Sequence, residues 1–241
     1  MIRKIVAGIF ILVFFTGISP CFSFPFSEGE TLLYTIKLIG IPAGNQVLKV
    51  EETIKKKEGS LYFLTSKVES SGIVSVFFQL KDEVESYVDT ETLYPQLVRI
   101  NIKENSRKEK MEVKIRKDKD KIRAFIWDKV RDKKWVRELS SPPLDILSLV
   151  YWIRAQNLKI GKKFEVLLLD TPGSFKDIKF EVSREDKAYT YLGVFPAFVC
   201  EQKGVKNGIS VWFSQDKRHL PLYIQINTPL GYLTAILQKL N

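Results

Sequence analysis

The stretch Asp145-Ile146-Leu147-Ser148-Leu149-Val150-Tyr151-Trp152-Ile153-Arg154-Ala155-Gln156-Asn157 decides the fold. It is the one long helical pattern in a chain that otherwise reads as strands and turns. Wound as a helix, Ile146, Leu147, Leu149, Val150, Tyr151, Trp152 and Ile153 surround most of the axis instead of forming one stripe. A helix apolar nearly all round is buried on most sides. It is too short to cross a bilayer, which takes roughly 20 apolar residues. The pattern therefore predicts a central helix with a curved sheet wrapped around it.

On either side of this helix the chain alternates apolar and polar residues in short runs. Leu32, Tyr34, Ile36 and Leu38 share one parity. Val98, Ile100 and Ile102, then Met111, Val113 and Ile115, then Ile122, Ala124 and Ile126 repeat the pattern, as do later runs ending at Leu240. Turn signals such as Pro42-Ala43-Gly44-Asn45 separate them. The spacing predicts about fourteen strands of an antiparallel sheet or barrel. No helix-length segment lies between neighbouring strands, which disfavours parallel βαβ units. The apolar run 73–80 reads equally as a buried strand or a short helix.

Asp145 is placed to cap the helix, accepting from its first free N–H groups. Arg154 is the odd residue on the apolar rod. It either snorkels from the helix end or is buried and paired, because an unpaired buried guanidinium is too costly. In the second reading its partner is Asp82, a carboxylate sharing the apolar parity of Val84, Ser86 and Val88. That ion pair would tie helix to sheet.

Residues 1–23 read as a signal peptide. Arg3 and Lys4 precede the apolar run 5–18, and Cys21-Phe22-Ser23 predicts cleavage after Ser23. A retained anchor is disfavoured by Pro20, and so is lipidation at Cys21. The remaining chain, 24–241, reads as a single β-rich domain. Its net charge would be +8, the whole chain's +10 less two. Cys200 would then be the only cysteine, so folding must rest on core burial, not on an internal disulfide.

Several stretches together resemble a family of exported bacterial proteins, the "domain of unknown function 3108" group. Gly29-Glu30-Thr31-Leu32-Leu33-Tyr34 followed by Ile41-Pro42-Ala43-Gly44 is similar to its opening strands. Asp145, Ser148, Tyr151 and Arg154 match its helix signature, with Ile146 where the family commonly has proline. Val211-Trp212-Phe213-Ser214-Gln215-Asp216, then Leu220-Pro221, matches its late strand pair. Leu192-Gly193 and the run from Asp82 to Ser86 also fit. The resemblance implies an exported β-rich protein of a Gram-negative type cell and carries no established activity.

The residues assign no catalytic group, metal site or cofactor. His219 is the only histidine and sits in a turn-like Asp216-Lys217-Arg218-His219. That removes multi-histidine zinc sites and leaves a serine triad one candidate base. Glycine-rich phosphate loops and paired-cysteine motifs do not occur. The net charge does have an address. Residues 103–137 hold 15 Lys and Arg against 7 Asp and Glu, with Phe125, Trp127 and Trp135 interleaved. Such a patch suits anionic lipid headgroups or another polyanion; nucleic acid is not expected of an exported protein.

Two functional expectations follow. A curled sheet that does not close leaves an apolar groove beside its helix, fit for lipid or lipoprotein acyl chains and lined by Tyr151, Trp152, Trp212 and Phe213. The alternative is a non-catalytic scaffold of the periplasmic cell envelope, using a strand edge or the basic 103–137 face. An interior cavity of at least about 300 Å³ would favour the first. Oligomeric state is not set by the sequence.

Overall fold

The computed structural model describes residues 24–57, 59–171, 173–228 and 231–241. The cleavage expected after Ser23 and the alternative at Cys21 fall outside them. A first meander runs β1 (Thr31–Leu38), β2 (Ile41–Lys55), β3 (Ser60–Ser70), β4 (Leu80–Asp89), β5 (Pro95–Glu104), β6 (Arg107–Asp118), β7 (Lys121–Asp128) and β8 (Lys133–Leu139). A short helix, α1 (Gly72–Phe77), bridges β3 and β4. The brief β9 (Pro143–Asp145) leads straight into α2 (Ile146–Arg154). A second meander follows: β10 (Lys163–Thr171), β11 (Ser174–Thr190), β12 (Gly193–Lys203), β13 (Ile209–Ser214), β14 (Pro221–Thr228) and β15 (Gly231–Leu240).

The two meanders join where β1 pairs with β15, giving one 15-stranded sheet in the order β8 to β1, then β15 to β9. Neighbours are antiparallel except β9 and β10. The sheet's two ends, β8 and β9, are adjacent in sequence yet do not pair. The ends instead overlap. Val98, Met111, Val113, Ala124 and Ile126 from the first meander pack against Leu169 from the second. The contact is close enough that a Cβ on Gly173, whose φ is +81°, would lie 2.6 Å from the Trp135 ring.

Helix α2 sits inside this curl and divides its side chains between two walls. Leu147 and Tyr151 join the cluster of Leu32, Tyr34, Leu48 and Leu222. Leu149 and Ile153 join that of Phe164, Phe180, Val182 and Phe213. Nine residues form a helix too short to be stable alone in water. Burying those four side chains supplies about 6–12 kcal/mol, at roughly 1.5–3 kcal/mol each. The helix ends earlier than its apolar pattern suggested. Ala155 is the C-cap, the Gln156 N–H bonds back to Ile153 O, and the Gln156 side chain bonds Trp152 O.

The run 73–80 resolves as α1 and a following extended segment, and it is not buried. Val74 alone of α1 packs against the core, whereas Ile73, Val76 and Phe77 stand in solvent.

Strand pairing needs a glycine at one interior point. A Cβ on Gly44 would sit 2.3 Å from Glu69 O on β3, and backbone cannot step aside as a side-chain tip can. Gly44→Ala is expected to destabilise the protein by about 1–3 kcal/mol, the usual cost of overpacking. Denaturant unfolding checks it; an unchanged midpoint would show that β2 and β3 are spaced differently.

Candidate functional site

The polar residues of α2 define its surroundings. At the N-terminus Asp145 Oδ1 accepts from the N–H groups of Leu147 (2.9 Å) and Ser148 (3.3 Å). Ser148 Oγ accepts from the Asp145 N–H (2.9 Å), completing a reciprocal cap. Asp145 Oδ2 accepts from Ser86 Oγ of β4 at 2.7 Å, so the cap also ties helix to sheet. Ile146 occupies the first helical position, where a proline is equally well accommodated.

At the other end Arg154 is fully buried. Its partner is Glu30, not Asp82. Nη1 donates to Oε1 at 2.6 Å and Nη2 to Oε2 at 2.9 Å, a bidentate fork. Nη2 also reaches Pro25 O, Nε reaches Arg218 O, and Phe26 and Tyr151 lie against the guanidinium with centroids 5.4 and 5.3 Å away. His219 is held too, with Nδ1 2.8 Å from Arg154 O. One side chain thus gathers the N-terminal segment, α2 and the β13–β14 turn. The sequence signal for Glu30 was present. It precedes β1 on the same parity as Leu32, Tyr34 and Ile36, the criterion that nominated Asp82.

Asp82 does face inward, but into a different place. It lines a polar cleft of about 460 Å³ with Glu104, Arg107, Glu109, Asp128 and Arg131. Its Oδ1 is buried without a hydrogen-bond partner among the described residues. Burial, then the neighbouring Glu104 and Glu109 carboxylates, push its pKa up to about 6. Tyr151 Oη is likewise buried and unbonded among the described residues, and burial drives its phenol well above the usual range. Cys200 is a buried thiol pushed up to about 12, chiefly by desolvation.

An apolar groove lies beside α2 as expected, but it is narrow and lined differently. Leu147, Val150 and Ile153 form one wall; Phe180, Val211, Phe213 and Ile224 form the other. Of the four proposed lining residues only Phe213 borders it. Tyr151 is turned to the opposite cluster, Trp152 packs edge-on against Phe164, and Trp212 packs against Tyr223 while donating to Asp186. The groove encloses about 130 Å³, whereas sites for drug-sized ligands start near 300 Å³.

The basic segment builds the outer face of β6, β7 and β8. Strand register puts Glu112, Lys114, Arg116 and Asp118 of β6 beside Trp127, Phe125, Arg123 and Lys121 of β7. Lys134, Val136 and Glu138 of β8 continue the same rows. Five cations therefore share this face with three carboxylates. Arg116 lies over Phe125 (5.5 Å), and Lys129 and Lys134 over Trp127 (4.8 and 4.5 Å). Lys114 and Lys129 both bond Glu112, holding its carboxyl down to about 2. Trp135 is the exception in the segment. It pairs with Ile126 on the inner face and packs there.

Residues 33–238 match the family described as "Protein of unknown function (DUF3108)", and the chain belongs to it. It is similar in fold to the beta-barrel-like protein of domain of unknown function DUF1849 from Brucella abortus. That likeness has a TM-score of 0.56 at 11% identity, over 89% of this chain and 97% of that one. Two weaker likenesses are a candidate exported protein with a YmcC-like fold from Bacteroides fragilis and a candidate lipoprotein from Parabacteroides distasonis. Their TM-scores are 0.41 and 0.39, at 9% and 11% identity; each covers 90% of this chain, and 98% and 97% of its own. No curated protein matches.

Three substitutions follow from the charged groups. Arg154→Met leaves Glu30 buried without its counter-charge, a change that costs about 3–5 kcal/mol when one partner of a buried pair goes. Glu30→Gln with Arg154→Met should recover part of that loss in a denaturation series, and strict additivity of the two single changes would deny the pairing. Asp82→Asn has the opposite sign. The folded protein holds the Asp82 carboxyl at about 6, above its ordinary 3.8, so the native carboxylate is penalised as pH rises through that window. The Asn variant should match wild type below about pH 4 and exceed it in melting temperature above about pH 6. A constant difference across that range would mean that Asp82 does not titrate there.

Proposed function

We propose that the protein is a non-catalytic binding protein of the cell envelope, held to an anionic surface through the outer face of β6, β7 and β8. The observation that carries this reading is the joint placement of cations with aromatic and apolar side chains on that face. Phe125 and Val136 stand exposed amid Lys114, Arg116 and Lys134. Such rows meet anionic headgroups or polyanions through charge, with rings adding contact at the interface. Export is supported by the apolar run 5–18 and the small residues at 21 and 23. The lipid-carrier reading is second, because the groove beside α2 has apolar walls but less than half the volume of a usual ligand pocket.

The test is retention on heparin and on anionic vesicles at low and moderate salt. Wild type should bind both and be released by salt. Reversing Lys114, Arg116 and Lys134 to Glu should weaken vesicle binding at least tenfold, since each basic residue near an anionic surface contributes about 1 kcal/mol. The reversals also remove the Lys114–Glu112 ion pair and two cation–ring contacts, so the denaturation midpoint should fall somewhat, and binding is compared at a temperature where the variant is folded. Binding that ignores both salt and the reversals would refute the reading. Native mass spectrometry should give the bare chain mass; a retained lipid would restore the carrier reading.

A further inference from the structure

One end of the curled sheet carries apolar side chains where a soluble surface has least use for them. On α1, Ile73, Val76 and Phe77 fall at positions i, i+3 and i+4, one helical face, and are 75%, 75% and 81% exposed. The β1–β2 turn adds Ile39 and Ile41, 52% and 60% exposed. The two are neighbours in space: the Ser71 N–H donates to Ala43 O at 2.9 Å, next to Gly44 paired with Ser70. Tyr232 stands beside them, its carbonyl accepting from the Ile39 N–H.

This end is fastened by hydrogen bonds and, at Ile39, strained. The α1 loop is closed at its base by the Leu80 N–H donating to Ser70 Oγ. Gln79 and Asn105 exchange two hydrogen bonds that fasten the loop to the β5–β6 turn (2.8 and 2.9 Å). Ile39 has φ +49°, a left-handed conformation that a β-branched residue adopts only at a cost. The Ile39 side chain lies over Gly231, where a Cβ would come within 2.8 Å of its Cγ1, and half of the residue is still left exposed as an apolar tip.

The charge around this end identifies what covers it. The β5–β6 hairpin fastened to α1 sets Lys103 directly opposite Lys108. Like charges facing across a strand pair repel, and an anionic surface relieves that. Arg107 is already taken by Glu104 and Glu109, and Lys81 by Glu69. We propose that α1 and the β1–β2 turn insert into the interfacial layer of an anionic lipid bilayer, with Lys103 and Lys108 on the headgroups. Apolar tips beside lysines left unpaired among the described residues are the composition that lies in such an interface. The inference rests on the anionic-surface reading for its attraction and commits that surface to lipid; the apolar insertion is its own.

The experiment is co-sedimentation of the full chain with vesicles of phosphatidylethanolamine and phosphatidylglycerol, and with phosphatidylcholine alone, alongside heparin elution. Wild type should partition to the anionic vesicles. Ile73→Ser with Phe77→Ser, which adds no charge, should lower that partition at least tenfold while leaving heparin elution and the denaturation midpoint unchanged, because neither side chain is buried. Lys103→Glu with Lys108→Glu should also lower it. Unchanged partition of the Ser variant overturns the insertion and leaves the anionic-surface reading standing. Heparin retention without any vesicle binding overturns it as well. Loss of both heparin and vesicle binding in wild type removes both proposals.

Discussion

A helix without a polar side must be covered from more than one direction, and that constraint shapes the molecule. Helix α2 sends Leu147 and Tyr151 to one cluster and Leu149 and Ile153 to another. One flat sheet could satisfy only one of these pairs. A single sheet that curls until its halves face one another satisfies both, and the order β8 to β1 to β15 to β9 does this without any crossover between the halves. Chain connectivity follows the same logic. The helix is placed between the two meanders in sequence because it lies between their ends in space.

Burial of the rod brings an electrostatic obligation with it. Arg154 lies within the last helical turn, in a position from which no solvent is reached. A buried ion pair is weak evidence for net stability, since desolvation offsets most of the attraction. Its effect here is selective. The fork from Glu30, together with the Pro25 and Arg218 carbonyls, admits one arrangement of three chain segments far apart in sequence. The opposite end works by hydrogen bonds, with Ser86 meeting the Asp145 cap. Helix register inside the curl is thereby fixed at both ends.

Much of this was legible from residue pattern alone, and the misses have physical causes. Period-two alternation located most strands because a half-buried strand has one wet and one dry face, as β1 shows. The cap at Asp145 is a local interaction and was read correctly. The partner of Arg154 is not local. Asp82 and Glu30 both satisfy the parity rule for an inward carboxylate, and only the path of the sheet decides which one meets the helix end. The groove lining failed for a related reason. Tyr151 and Trp152 are on the right helix, but 100° per residue turns Tyr151 to the opposite wall and sets Trp152 against Phe164, away from the groove that Phe213 borders. The run 73–80 was ambiguous because apolar composition implies burial only where another surface is available to bury against.

The positive charge has two separate explanations, and strand position tells them apart. Because β8 does not pair with β9, it is an edge strand, and edge strands use charge to deter pairing with other chains. Lys133, Lys134 and Arg137 on β8 meet that need. Strands β6 and β7 are paired on both sides, so edge protection asks nothing of them. Yet Lys114, Arg116, Lys121 and Arg123 stand on their outer face, two of them directly opposite one another as Arg116 and Arg123. A like-charge pair at an interior position weakens the sheet slightly. Solubility alone is better supplied by mixed signs or by acids. Lys114 and Lys121 find counter-charges in Glu112 and Glu138, so the excess on this face comes down to Arg116 and Arg123, which face each other without an ion pair among the described residues.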